Sequence, residues 1–304
     1  MTFAELTPTL SWNPATVLRE LFTYPFMVNA FRAGTIVAIA AGSIGWFMVL
    51  RRQAFAGHTL ALVAFPGAAA ATLVGVSVAW GYFGFCIAAA LILAAVPASR
   101  GQGYSDESAA TGILQAFALA SGFLFIALYK GFLNGVNSLL FGSFLGITSQ
   151  QVWSLLAVAA AALAVLAFIG RPLLFATIDP QVAAARGVPV KRLSVTFLVL
   201  LGVAAAEATQ ITGALLVFAL LVMPAATAQR LTGRPALSLA LSVLLALAVT
   251  WVGLALAYYS VYPTGFYVTS LAFAAYVAAW AGKAGAERLR RRRHGGAARE
   301  TTAA

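Results

Sequence analysis

The sequence predicts an all-α membrane protein, a polytopic bundle of about eight or nine transmembrane helices. Of its 304 residues, 62% are hydrophobic and only 9% are charged, against roughly 25% charged residues in an ordinary soluble domain. Long apolar runs favour helices, because the strands of a membrane β-barrel would alternate over segments of about ten residues. This composition excludes a soluble globular enzyme and a disordered chain.

The first four predicted spans are bounded by charged or helix-breaking residues. The first covers residues 27–50 and stops at a pair of arginines, and the second covers residues 54–78 around an internal Pro-Gly pair. The third, residues 80–98, ends before an arginine, and a polar stretch separates it from the fourth, residues 109–129. Each run approaches the length of about 20 residues that a helix needs to cross the hydrocarbon core.

The second half of the chain is less regular. Residues 130–147 are rich in Gly and Asn, which predicts a re-entrant segment or a short helix rather than a span. Residues 193–228 form a short stretch for two membrane-spanning helices, so the sequence is compatible with eight to ten spans. The later spans are residues 152–170, the two within 193–228, 236–257 and 264–282.

One membrane domain, residues 26–283, is predicted between two termini. Residues 1–25 form an N-terminal extramembrane segment without the basic start and apolar core of a signal peptide, so we expect the first span to remain in the mature protein. Residues 284–304 form a basic tail that we expect to be disordered. The expected location is the plasma or inner membrane.

The net charge of +11 is explained by topology. Counting bases by the positive-inside rule places the arginine pair after the first span, the loop of residues 171–192 and the basic tail in the cytoplasm. In this count only Lys130 falls outside. Most bases flank spans or lie in the tail, which favours contact with anionic lipid over binding of nucleic acid.

Residues 171–192 read as two short helices across a turn on the cytoplasmic face. Asp179 would cap the free amides of the second helix, and Pro180 suits its first position. Gly187 is a typical helix stop. From the residues alone, this segment is either a surface connector or a docking element for a cytoplasmic partner.

Four stretches resemble the permease subunits of ATP-binding cassette (ABC) importers for zinc, manganese or iron. The resemblance extends over residues 32–282, and the last stretch is the most specific. It implies the type II ABC importer fold and inward transport of a divalent metal, zinc or manganese. The stretches are LRRQAFAGHTLALVAFPG at residues 50–67, LFGSFLGI at 140–147, DPQVAAARGVPVKR at 179–192 and TGALLVFALLVMPAATAQR at 212–230.

The resemblance also implies an assembly. Two copies of the permease would work with cytoplasmic ABC ATPases and an extracytoplasmic metal-binding protein. The chain has no G-x-x-x-x-G-K-[ST] phosphate loop, so we expect a transport subunit without enzymatic activity or bound cofactor, with ATP used by the partner. The residues expected to couple to the ATPase are Asp179, Pro180, Ala184, Arg186, Gly187 and Val188.

The sequence departs from the family pattern where metal ligands are expected. His58 stands where the family usually has Asp, and Leu62 stands where it has His. Since positions i and i+4 share a helical face, Leu62 removes the second ligand of a pair. The remaining candidates are the metal ligands His58 and Glu207 and the pathway or gating residues Gln115, Gln210 and Pro224.

Two of these candidates have a structural alternative. His58 either binds a metal through a ring nitrogen or lies at the membrane interface, bonded to backbone or water. Glu207 is an expensive carboxylate in an apolar stretch, so it is either a pathway residue or lies in water at the outer mouth. Gln210 is expected to bond a neighbouring helix, and Pro224 would permit helix bending.

Two other functions remain open. One is a permease of the same architecture for a metal chelate or another small solute. The other is a secondary transporter driven by an ion gradient, with Glu207 as its coupling acid.

Overall fold

The computed structural model describes residues 14–96, 103–129, 146–260 and 262–302. Within these ranges the regular structure is helical and contains no β-strand. The helices are α1 (Pro14–Thr23), α2 (Pro25–Leu50), α3 (Ala54–Val74), α4 (Val78–Ala95), α5 (Gly103–Leu128), α6 (Ser149–Ile178), α7 (Pro180–Ala185), α8 (Val190–Thr212), α9 (Ala214–Leu231), α10 (Pro235–Tyr258) and α11 (Thr264–Thr302).

Eight helices of the described residues are long and apolar enough to cross a membrane. They are α2, α3, α4, α6, α8, α10, the part Ser108–Leu128 of α5 and the part Thr264–Gly285 of α11. Helix α9 contributes a shorter apolar segment, Leu216–Leu231. The predicted bundle of eight or nine spans is therefore confirmed, while the segment predicted to be re-entrant lies almost entirely outside the described residues.

A single glycine lets α8 and α9 fit into the tight stretch of residues 193–228. Gly213 ends α8 and begins α9, with φ 75° and ψ 158°. This backbone region is essentially restricted to glycine. The chain therefore passes from α8 into α9 without a loop, and α9 supplies the shorter apolar segment Leu216–Leu231.

Close backbone approaches hold the bundle together. A Cβ atom added at Gly45 of α2 would collide with the carbonyl oxygen of Leu221 in α9. Gly67 of α3 and Gly81 of α4 approach each other in the same way. Small residues at helix crossings are the usual means of dense packing between membrane helices.

Buried hydrogen bonds join α2, α9 and α10. The Trp46 indole donates to the Ser238 hydroxyl at 2.9 Å, and the Gln229 side chain donates to the Trp46 carbonyl at 2.9 Å. Ser242 donates to the carbonyl of Gly42 at 2.8 Å. In the absence of water, such bonds between helices fix their register.

The basic residues of the loops collect at one end of the bundle. Arg51, at the end of α2, reaches the last turn of α6 and the beginning of α8. The bond from Gln229 to the end of α2 brings the α9–α10 turn, with Arg234, to the same end. The positive-inside rule makes this end cytoplasmic.

The opposite end carries fewer bases, but more than the sequence count included. The hydroxyl of Tyr259, at the end of α10, donates to Glu20 of α1 at 3.0 Å. Burial and this bond raise the pKa of Tyr259 to about 12. Arg19 and Arg32 therefore lie at the outer end, in addition to Lys130, which is outside the described residues.

Two helices run further than the sequence predicted. Helix α6 continues to Ile178, so the first of the two short helices expected in residues 171–192 is the end of α6. Pro172 does not break it, because Leu173 and Ala176 extend its buried face. Helix α11 continues to Thr302, where we expected a disordered tail. Ala, Glu and Arg, which are frequent there, are good helix formers.

Candidate functional site

The cytoplasmic end of the bundle presents the short helix α7 as a capped unit. The Asp179 carboxylate accepts hydrogen bonds from the amides of Gln181 at 3.1 Å and Val182 at 2.9 Å. Gly187 has φ 81°, and the amide of Val188 donates to the carbonyl of Ala183 at 3.0 Å. The cap, the first-turn proline and the glycine stop all form as the sequence predicted.

Only one side of α7 rests on the bundle. Ala183 is fully buried. Most of the residues expected to couple, namely Pro180, Ala184, Arg186 and Gly187, are exposed, while Asp179 and Val188 are half-buried. Helix α7 therefore presents an exposed face, with Arg186 at its end, at the basic end of the bundle.

A polar cavity of about 450 Å³ lies beside α7. Arg51 and Arg52 of the α2–α3 turn line it, together with Thr177, Pro180 and Ser194. The sequence marks the two arginines as a topology signal and as part of the stretch that resembles the family. Nothing local in it indicates that Arg51 contacts the ends of two distant helices.

His58 lies in the second turn of α3, close to the basic end. It is half-buried, and its Nδ1 atom is buried without a hydrogen-bond partner among the described residues. The ring packs against Phe218 of α9 in a T-shaped arrangement, with 4.8 Å between centroids. The Nδ1 atom therefore accepts no hydrogen bond from the described backbone.

Gln115 joins α5 to α3 beside His58. Its side-chain oxygen accepts a hydrogen bond from the Thr59 hydroxyl at 2.9 Å. An amide oxygen has a second lone pair, so this bond orients Gln115 without using up its acceptor capacity. Leu62, one turn beyond His58, is buried in the core.

Glu207 is buried inside α8 rather than exposed at the mouth. It is 1% exposed, and neither carboxylate oxygen has a hydrogen-bond partner among the described residues. In the described structure the carboxylate is therefore covered by protein near the outer end of α8. An unpaired buried carboxyl group is costly to the fold.

Gln210 lines a cavity of about 470 Å³ at the outer end, between α4, α6 and α8. Its side-chain amide donates to the Ala206 carbonyl of its own helix at 3.5 Å, rather than to a neighbouring helix as we expected. The cavity is also lined by the neutral polar side chains of Ser77, Tyr82, Gln150, Gln151 and Ser154. It contains no charged lining residue within the described part of the chain.

Pro224 is buried in the middle of α9. Proline has no amide hydrogen, so the carbonyl of Leu220, four residues earlier, loses its helical partner. The helix nevertheless continues to Leu231. Helix α9 thus lacks one backbone hydrogen bond at the position where the sequence predicts that it can bend.

The two candidate metal ligands lie at different depths. His58 is about 6 Å from the cytoplasmic end of α3, and Glu207 is about 8 Å from the outer end of α8, at 1.5 Å per residue. They lie on different helices. The described residues hold no group of three or more His, Cys, Asp or Glu side chains that could bind a metal ion.

Comparison with known sequences gives a consistent set of matches. The profile of the ABC 3 transport family matches residues 23–283. The manganese transport system membrane protein MntC of Halalkalibacterium halodurans is 32% identical over 217 residues, 71% of this chain and 73% of that protein. The manganese import system permease protein ScaB of Streptococcus parasanguinis is 29% identical over 67% of this chain and 72% of that protein.

Two solved structures are similar in fold. PsaBC from Streptococcus pneumoniae in complex with Fab aligns with a TM-score of 0.77 at 26% identity, over 88% of this chain and 95% of that chain. A metal-chelate type ABC transporter in an inward-facing conformation aligns with a TM-score of 0.67 over 88% and 89%. At 16% identity, the second likeness concerns the fold alone.

Proposed function

This chain belongs to the ABC 3 transport family, and from that premise we propose that it is the permease of an importer that moves Mn²⁺ into the cell. It is a multi-pass membrane protein and a metal ABC importer permease. The observation that carries the proposal is the fold match to PsaBC over nearly the whole chain, together with a capped α7 exposed at the basic end.

Manganese is favoured over zinc by the relatives. MntC and ScaB are both named for manganese, and each covers at least two thirds of this chain. The donors that remain here are an imidazole, a carboxylate and amide oxygens. Oxygen donors suit manganese, whereas zinc prefers Cys and His ligands.

The transport energy comes from an ABC ATPase that binds the exposed, cytoplasmic face of α7. Exposed Arg186 and the helix itself form the contact surface. Helix α7 is followed immediately by α8, so a displacement of α7 reaches the span that carries Glu207. A secondary transporter driven by an ion gradient is not favoured, because the chain belongs to an ABC transport family.

Along the proposed pathway the ion contacts the candidate residues one after another, rather than being surrounded by all of them in one site. Gln210 lines the outer cavity, Glu207 follows deeper in α8, and His58 with Gln115 lies near the cytoplasmic end. His58 and Glu207 lie on different helices, and neither belongs to a group of three or more possible metal ligands in the described residues. A second copy of the chain completes the passage, and an extracytoplasmic binding protein selects the metal.

A deletion strain tests the proposal. The strain is grown under mild chelation with the wild-type gene, an empty vector, or the gene lacking residues 179–192, and cellular manganese and zinc are measured by mass spectrometry. We expect the wild-type gene alone to restore manganese. Restoration of zinc instead would correct the cargo. No change in either metal would contradict free-metal import and favour the metal-chelate alternative.

A further inference from the structure

Arg51 is the centre of a hydrogen-bond network at the point where α7 meets the bundle. Its Nη2 atom donates to the Ser194 hydroxyl at 2.8 Å, and its Nη1 atom donates to the Thr177 hydroxyl at 3.2 Å. Its Nε atom donates to the side-chain oxygen of Gln53 at 3.2 Å. The guanidinium carbon lies 5.4 Å from the ring centroid of Phe197. One side chain thus contacts the ends of three spanning helices.

The two hydroxyl partners flank α7 in sequence. Thr177 is in the last turn of α6, two residues before the cap of α7, and Ser194 begins the second turn of α8, after α7 has ended. The Thr177 hydroxyl donates its own hydrogen to the Leu173 carbonyl at 2.6 Å. Its oxygen is therefore held in place to accept from Arg51. Arg51 closes a polar bridge across both connections of α7.

The arrangement depends on the shape of arginine. The guanidinium group presents five donors in a rigid plane and stacks on an aromatic face. A lysine keeps the charge but offers one flexible ammonium group, which cannot hold two hydroxyl groups and a glutamine oxygen while it stacks on Phe197. Phe197 is fully buried, so its ring is held by the core and restrains the guanidinium plane of Arg51.

From these contacts we propose that Arg51 is a positioning residue for energy coupling. It fastens both connections of α7 to the end of α2, so that a movement of α7 displaces α2, α6 and α8 as one body rather than bending its own connections. This role rests on the proposed function, since it requires an ATPase bound to α7.

The neighbouring Arg52 supplies a matched control. It lies in the same turn and is exposed, and its side chain makes no hydrogen bond or ion pair within the described part of the chain. Its φ of 58° is in the left-handed region, which asparagine tolerates better than most residues. Arg52→Asn therefore removes one positive charge from this turn without breaking the polar bridge.

The first measurement tests the bridge in the full-length chain alone. Hydrogen exchange of the amides of residues 179–189 is followed by mass spectrometry in wild type, Arg51→Lys and Arg52→Asn. We expect exchange about tenfold faster in Arg51→Lys, since hydrogen bonds to a charged group are lost, and unchanged exchange in Arg52→Asn. Equal protection in wild type and Arg51→Lys would overturn the bridge.

The second measurement tests coupling in liposomes that contain the chain co-purified with its ATPase, with Mn²⁺ as the cargo. For Arg51→Lys we expect nearly normal ATP hydrolysis and at least about fivefold fewer ions transported per ATP. The partner variants Thr177→Val and Ser194→Ala should lower this ratio less, and each should add little to Arg51→Lys because they share one network. An unchanged ratio would overturn the inference. So would a proportional loss of hydrolysis, transport and thermal stability, which indicates a merely structural role.

A failure of the proposed function gives a different result. Wild-type liposomes without ATP-driven Mn²⁺ uptake would contradict the proposed function and the coupling role together. The hydrogen-exchange difference would persist in that case, because it depends only on the fold of the chain.

Discussion

The imidazole ring of His58 meets the ring of Phe218 edge to face, with 4.8 Å between the centroids. This contact joins α3 to α9, the helix that Pro224 interrupts. The Nδ1 atom of His58 has no hydrogen-bond partner in the described structure. This nitrogen, a candidate metal ligand, is therefore held in place by packing of the ring. A movement of α9 would change the position of this ring.

We expect His58→Asn to lower Mn²⁺ uptake by at least about tenfold, since even indirect contacts to a metal ligand alter affinity by this amount. Asparagine is similar in size but lacks the imidazole nitrogen. The measurement is radioactive manganese uptake in the deletion strain.

The matched variant is Phe218→Leu, which removes the ring contact and leaves His58 in place. A smaller effect of Phe218→Leu than of His58→Asn would assign the role to the nitrogen. Normal uptake in His58→Asn would remove His58 from the pathway.

Glu207→Gln is expected to stabilise the chain and to impair transport. The amide is similar in shape but carries no charge, and Glu207 is buried with two unpartnered oxygens. Relief of this burial is worth about 1 kcal/mol or more. Thermal unfolding in detergent and manganese uptake are measured together.

Thr209→Val serves as the control for Glu207→Gln. Thr209 is equally buried, and its hydroxyl bonds only to the Ala205 carbonyl of its own helix in the described structure. We expect little change in uptake for this variant. A lower melting temperature with normal uptake in Glu207→Gln would show that the carboxylate has a structural partner and no transport role.

The sequence predicted the local features well because their causes are local. The cap at Asp179 and the stop at Gly187 each depend on a few neighbouring residues, and each formed as expected. Apolar length likewise predicted the spans. The error at residues 171–178 has a physical reason, since the buried face of α6 continues beyond Pro172.

The site could not be predicted in the same way because its contacts are distant in sequence. Arg51 bonds to side chains 126 and 143 positions away. The burial of Glu207 and of the His58 Nδ1 atom depends on how α3 and α8 lie in the bundle. Residue type marked these positions as unusual, but only the packing showed that these polar atoms are buried without a partner in the described structure.

Removal of the α7 cap should weaken ATPase binding. In Asp179→Ala two amides lose their acceptor, and the loss of such a cap costs about 1 kcal/mol. A helix of six residues is expected to fray after this loss. The fraction of ATPase that co-purifies with the tagged chain should fall several-fold.

Asp179→Asn separates the cap from the charge. Asparagine caps helices about as well as aspartate, so we expect co-purification close to that of wild type. A loss in Asp179→Asn equal to that in Asp179→Ala would indicate that the ATPase recognises the negative charge and that the cap is secondary.

The close approach of α2 and α9 predicts a steric requirement at Gly45. A Cβ atom there would collide with the Leu221 carbonyl oxygen, which belongs to rigid helical backbone. Gly45→Ala must therefore push α2 and α9 apart, and overpacking of this kind costs about 1–3 kcal/mol. We expect a lower midpoint of thermal unfolding in detergent for the full-length chain.

Gly112→Ala is the control, because a Cβ atom at Gly112 of α5 has open space around it. Alanine is the better helix former by up to about 1 kcal/mol, so this variant should unfold at the same or a higher temperature. If both variants behaved alike, the backbone contact between α2 and α9 would not limit stability. A loss confined to Gly45→Ala would show that the bundle depends on the absence of a side chain where α2 meets the helix that carries Phe218 and Pro224.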